Sequence, residues 1–191
     1  MLRYIIPSQT RRKILALFFQ KPQETYHLRR VGREVGEEVN AVKRELDILE
    51  KAGVLEREKR VNKVMYTLNP KYLFYDEFLR IFAKEGSLAK EIVKNVSKLG
   101  RVKFCVLSAK FAHRISPKEG EIYLLLVGIV VVAELNAIIS FQEKELGFEI
   151  NYSTMTEEEF KFRKKNNDPF IWQFLKEPKI MLIGNESDLV V

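Results

Sequence analysis

Val39-Asn40-Ala41-Val42-Lys43-Arg44-Glu45-Leu46-Asp47-Ile48-Leu49-Glu50-Lys51-Ala52-Gly53-Val54-Leu55 is the stretch on which the fold turns. Val39, Val42, Leu46 and Leu49 recur at offsets of three, four and three, the apolar stripe of a helix buried along one face. The helix is expected to begin near Glu38 and to be closed by Gly53. Beyond it, Val54–Arg60 and Lys63–Leu68 read as two strands joined at Val61-Asn62, with Asn69-Pro70 ending the unit.

Working upstream, Leu28, Val31 and Val35 mark a short second helix stopped by Gly36. Ser8 is an N-cap candidate for a first helix carrying Ile14, Leu15, Leu17 and Phe18, ended at Lys21-Pro22. Three helices, each with a stripe too narrow to be stable alone, can close one small core, and a hairpin follows them. Helix, helix, helix, strand, turn, strand is the order of a winged helix–turn–helix. Residues 1–70 are therefore expected to be such a domain, in a chain of α+β class.

Burying that stripe turns Asn40, Ala41, Lys43, Arg44 and Asp47 outward. An Asn can pair with adenine and an Arg with guanine through two hydrogen bonds each, while Lys43 suits a phosphate. Glu37 and Glu38 sit awkwardly beside phosphates; they are expected to favour the helix dipole or to accept from cytosine. Arg57, Lys59, Arg60 and Lys63 cluster around the hairpin turn with Asn62, as in a wing laid on a DNA backbone. Arg29, Arg30 and Arg33 on the second helix form a third basic surface. Charge follows the same division. The chain carries a net +7; residues 1–70 hold fifteen Lys/Arg against nine Asp/Glu, and residues 71–191 hold eighteen against seventeen. The excess lies on the first third, which suits a polyanion partner. Double-stranded DNA is the partner expected.

The quoted stretch also resembles the recognition helix and first wing strand of prokaryotic winged-helix transcriptional regulators of the ArsR-like type, over about residues 8–70. The resemblance implies a third helix in the major groove, DNA contacts from Asn40, Lys43 and Arg44, and a homodimer. Metal-sensing members use Cys and His clusters; here only Cys105, His27 and His113 exist. No metal site and no cofactor are expected. His27 reads as a helix-start residue, and Cys105, inside Val102–Leu107, as a packed thiol of a reducing compartment. No secretory signal is visible at Met1–Pro7, and the apolar run Ile122–Ala133 is short of the roughly twenty residues a membrane span needs. A cytoplasmic protein without a membrane partner is expected.

Residues 71–100 read as connecting helices, with Leu73, Phe74, Phe78, Leu79, Ile81 and Phe82 before Gly86-Ser87 and Leu88, Ile92, Val93, Val96 and Leu99 after it. Residues 101–191 alternate strands and helices. Strands are expected at Val102–Ser108, Glu121–Gly128, Phe148–Met155 and Lys179–Ile183. Helices are expected at Glu134–Leu146, over Phe160–Lys165 behind the capping box Thr156-Glu157-Glu158-Glu159, and after Asp168-Pro169. This part resembles the small nucleotidyltransferase-like domains, with a mixed sheet, found behind winged helices in some bacterial and archaeal regulators. Active members carry a Gly-Ser turn after the first strand and two aspartates, two residues apart, on the next, because paired carboxylates hold Mg²⁺ against nucleotide phosphates. Here the turn reads Leu107-Ser108-Ala109, and the pair reads Glu121-Ile122-Tyr123. Ser108, Glu121 and Tyr123 therefore mark a degenerate nucleotide site, and the chain is expected not to be an enzyme. Two rival readings stand beside this one: an active Mg²⁺-dependent nucleotidyltransferase using Ser108, Glu121 and Glu149, and a module that binds protein or RNA.

Overall fold

A computed structural model describes residues 2–190. It is a mixed α+β protein with two small sheets, divided into two compact units, 1–83 and 84–191.

The first unit opens with a single 3-10 turn and then α1 (Gln9–Gln20), whose first turn is capped by Ser8: its hydroxyl accepts from the Arg11 amide at 3.2 Å. Next come β1 (Tyr26–His27), α2 (Leu28–Val35) and α3 (Val39–Lys51). Between α2 and α3 the chain turns at Gly36, which sits at φ +62 and returns its amide to the Gly32 carbonyl. A left-handed residue there costs glycine nothing, so the second helix stops and the third starts within three residues. β2 (Leu55–Arg60) and β3 (Lys63–Leu68) pair antiparallel through Val61-Asn62, and β1 adds to β3, giving the sheet order β1-β3-β2. Val61 at the tip is 90% exposed and lies at φ +48, a left-handed conformation unusual for a β-branched side chain.

Ile14, Phe18, Val31, Val42 and Leu46 are buried together with Tyr26, Leu49, Leu55 and Tyr66. Val39 departs from the expected stripe. It is 42% exposed, because it is the first helical residue of α3 and lies in the turn before the stripe begins. Leu17 and Leu28 are half-buried. After Pro70 the chain enters α4 (Tyr75–Lys84), whose Phe82 stacks on Phe19 with ring centroids 5.5 Å apart. Leu73 and Phe74, expected in that helix, precede it and are exposed. The stretch 71–100 is divided between the two units.

The second unit begins with α5 (Ser87–Lys94) and builds a four-stranded sheet from β4 (Gly100–Ser108), β5 (Leu124–Val130), β6 (Tyr152–Met155) and β7 (Lys179–Ile183) in the order β6-β5-β4-β7. The sheet is mixed: β5 and β6 run parallel and the other neighbours antiparallel. Four helices join the strands, α6 (Ala109–His113), α7 (Val132–Leu146), α8 (Glu157–Lys165) and α9 (Pro169–Lys176), and α10 (Glu186–Val190) follows β7. Alternation along the strands sends Phe104, Val106, Leu125 and Val127 into a core with Phe160, Ile171, Phe174, Leu175 and Leu189. Cys105, Leu107, Leu124 and Leu126 turn the other way and are fully buried too. Burial pushes the Cys105 thiol up to about 12, which makes it an inert packed side chain.

Two strand starts differ from expectation. β5 begins at Leu124, not Glu121, because residues 118–121 close a turn in which the Glu121 carboxylate accepts from the Lys118 amide at 2.8 Å. β6 begins at Tyr152, not Phe148, because the Ile150 amide donates to the Glu143 carboxylate of α7 rather than to a ladder.

Candidate nucleic-acid interface

α3 is positioned from behind by α1. Glu45, on the inner flank of α3, accepts from Arg11 Nε at 2.7 Å and from Ser8 Oγ at 2.6 Å. Glu37, just before α3, accepts from Lys13 Nζ at 2.6 Å and from Thr10 Oγ1 at 3.3 Å. The bond from Lys13 holds the Glu37 carboxyl below its ordinary range. Glu37 thus binds α1, a tie outside the roles expected of it from the sequence. Glu38 is the N-cap residue but makes no side-chain cap bond.

With Val42, Leu46 and Leu49 buried, Asn40, Arg44 and Asp47 are exposed and Lys43 is half-buried. Asn40 donates to Glu38 at 3.4 Å. Lys43 is paired with Asp47 one turn on, which holds the ammonium charged and steers it along the helix. The expected cations therefore fall into two sets. Arg30 is paired with Glu24 at 2.6 Å, Arg57 with Glu50 at 3.7 Å and Arg60 with Glu58 at 2.7 Å. Among the described residues, Arg29, Arg33, Arg44, Lys59 and Lys63 make no ion pair. Asn62 is exposed at the ribbon tip beside Val61.

The cations gather at two places. Arg57 of β2 and Lys43 of α3 both act on the buried Tyr66 hydroxyl, so the base of the ribbon lies against α3. Lys63, Arg33, Arg30 and Arg29 surround His27, which joins α2 to β3 through β1. His27 caps α2: its Nδ1 accepts from the Arg30 amide at 3.3 Å. Burial and then these four cations hold the imidazole below its ordinary value of 6.5. The sign follows from linkage. The unfolded chain takes up the proton first, so the stabilisation from neutral His27 is complete above about 6.5 and is lost as pH falls below it. Urea unfolding of the chain is expected to show its midpoint falling below that pH, and His27→Asn, which caps without titrating, is expected to remove that part of the slope. Equal slopes in the two proteins would mean that His27 does not cap in its neutral form.

In the second unit Ser108, Glu121 and Tyr123 do lie at one end of the β4–β5 pair, where the Ser108 amide donates to the Tyr123 carbonyl at 2.7 Å. Each side chain is otherwise engaged. Ser108 caps α6, accepting from the Lys110 amide at 3.2 Å. Glu121 pairs with Lys110 at 2.7 Å, and Lys110 also holds Glu177 at 2.7 Å. The Lys110 bond, with that from the Lys118 amide, keeps the Glu121 carboxyl below its ordinary range. The Tyr123 hydroxyl donates to the Ile115 carbonyl at 3.1 Å, and its ring stands edge-on to Phe111. Glu149 is exposed and lines a cavity with Arg114, Tyr123 and Phe148. Among the described residues, no three His, Cys, Asp or Glu side chains converge as metal ligands would. No helix among them is long and apolar enough to cross a membrane.

Sequence reasoning missed the ties from Arg11, Ser8 and Lys13 to α3. An Arg-x-Lys pair at the start of one helix and acids flanking another is the only signal for them, and it does not state who pairs with whom.

No protein family and no curated protein matches the chain. Among solved structures, one match is a crystal structure of human N-acetylserotonin methyltransferase in complex with SAM, at 14% identity and a TM-score of 0.31. The match covers 52% of this chain and 33% of that one, so the chain spans about a third of the length of its solved neighbour. The expectation that this chain is not an enzyme is corrected on the chain's own chemistry. The physical reason is that a missing carboxylate pair excludes one metal-dependent reaction and says nothing of others. At that TM-score the likeness assigns neither fold nor reaction here.

Proposed function

We propose that the chain is a cytoplasmic transcriptional regulator that reads double-stranded DNA as a homodimer. In this reading 1–83 contain a winged helix–turn–helix, α3 enters the major groove, and the β2–β3 ribbon lies along the phosphate backbone. The mixed sheet of the second unit is read as a nucleotidyltransferase-like arrangement, on the resemblance of the β4–Ser108–α6–β5 succession. The observation that carries the function is the outer face of α3. Asn40 and Arg44 stand exposed there, Arg44 makes no ion pair, and Lys59 and Lys63 stand unpaired on the adjoining ribbon. An exposed Arg without an acid of its own keeps all its donors for a guanine edge.

Selection of bound fragments from a random duplex library, followed by titration of the enriched sequence, tests this. Arg44→Ala is expected to lower affinity for the selected duplex by about 1–3 kcal/mol, with little effect on an unrelated duplex. A two-fold symmetric motif is expected from a dimer. Unchanged affinity would remove α3 as the reading element.

A further inference from the structure

On the second unit, away from Ser108 and Glu121, a cavity of about 330 Å³ opens between α8, the edge of the sheet core and α10. Its floor is apolar: Phe104 and Val127 from the strands, Phe160 from α8 and the indole of Trp172 from α9. Trp172 is fixed there, since its Nε1 donates to the Lys164 carbonyl at 3.1 Å. The rim is cationic. Lys161, Lys164 and Lys165 lie at i, i+3 and i+4 on one face of α8, and Lys103 stands across from them on β4. The two acids at the rim are Glu157, bonded to Lys103 at 2.7 Å, and Asp188. Lysines thus outnumber acids around a hollow lined by rings. The Lys164 ammonium donates to the Leu189 carbonyl at 3.2 Å, which leaves Lys161 and Lys165 as the cations of α8 turned to the mouth.

From the pairing of an aromatic floor with a lysine rim we infer that this cavity binds a small amphipathic carboxylate, its flat apolar body on Phe160 and Trp172 and its carboxylate at Lys161 and Lys165. A volume of this size lies at the lower end of small-molecule sites. It admits a ring with a short acid side chain and excludes a nucleic-acid strand or a folded partner. The site lies wholly within one unit, and its test needs no duplex, so it stands or falls apart from DNA reading.

Trp172 is the chain's single tryptophan and reports on the site directly. Phenylpropionate, which does not absorb where an indole is selectively excited, is titrated into the full chain, with phenylpropanol as its neutral counterpart. Phenylpropionate is expected to change Trp172 emission saturably with a dissociation constant of about a millimolar, and phenylpropanol to bind at least about tenfold more weakly. Both lysines are exposed, so Lys161→Gln with Lys165→Gln leaves the fold intact. That variant is expected to weaken the acid about tenfold and leave the alcohol unchanged. No saturable change with the acid, equal binding of acid and alcohol, or undiminished acid binding by the double variant would each overturn the inference.

Discussion

Raising salt fourfold is expected to release a bound duplex by a factor of roughly 150, if Arg29, Arg33, Lys59 and Lys63, which make no ion pair among the described residues, meet four phosphates. Each phosphate neutralised by Arg29, Arg33, Lys59 or Lys63 frees condensed counterions, and the logarithm of affinity then falls by about 0.9 per contact for each decade of salt. The paired cations contribute less, because Arg30, Arg57 and Arg60 already share their charge with Glu24, Glu50 and Glu58. Removing Lys59 and Lys63 together is therefore expected to flatten the slope by nearly two, equally for any duplex sequence, whereas Arg44→Ala acts on the selected sequence. Titrations at several salt concentrations check both statements. Affinity indifferent to salt would exclude phosphate contacts and leave the face of α3 to a protein partner.

Leu46→Ala is expected to destabilise the first unit by about 2–5 kcal/mol, a large share of the roughly 5–15 kcal/mol available to a domain. Leu46 is fully buried at the centre of the stripe, between Val42 and Leu49. Its loss leaves a void that α1 and α2 cannot close, because Arg11 and Lys13 already fix α1 to Glu45 and Glu37. Ile48, on the same helix but 46% exposed, provides the comparison: Ile48→Ala is expected to cost under about 1 kcal/mol. Chemical denaturation of the two variants measures the difference. Similar costs for both would mean that the stripe does not face the core.

Helix ends were the most legible part of the sequence. Ser8, Thr156 and Asp168 each cap the helix they precede, and Gly36 ends one in the left-handed region. These signals are local and act through the residue's own backbone. The short elements were illegible: β1 has two residues, and α6 and α10 have five each, fewer than a period needs to show itself. The strand start at Glu121 was misplaced because its carboxylate closes a turn with the Lys118 amide, and that at Phe148 because the Glu143 side chain takes the Ile150 amide that alternation assigns to a ladder. The candidate interface was legible as a set of residue types and not as a charge distribution. Which arginines spend their charge on a neighbouring acid depends on folded geometry, and the sequence shows Arg44 and Arg57 alike. The aromatic floor under Lys161 and Lys165 was likewise invisible, since Phe104, Phe160 and Trp172 lie on three separate elements.

The ribbon tip carries a conformational cost. Val61, left-handed and almost wholly in water, gives its side chain nothing to pack against and holds its backbone where a branched residue costs about 1–2 kcal/mol. Glycine or asparagine would relax that bend. Val61→Gly is therefore expected to leave the ribbon's pairing intact and to raise the unfolding midpoint of the first unit, as chemical denaturation would measure.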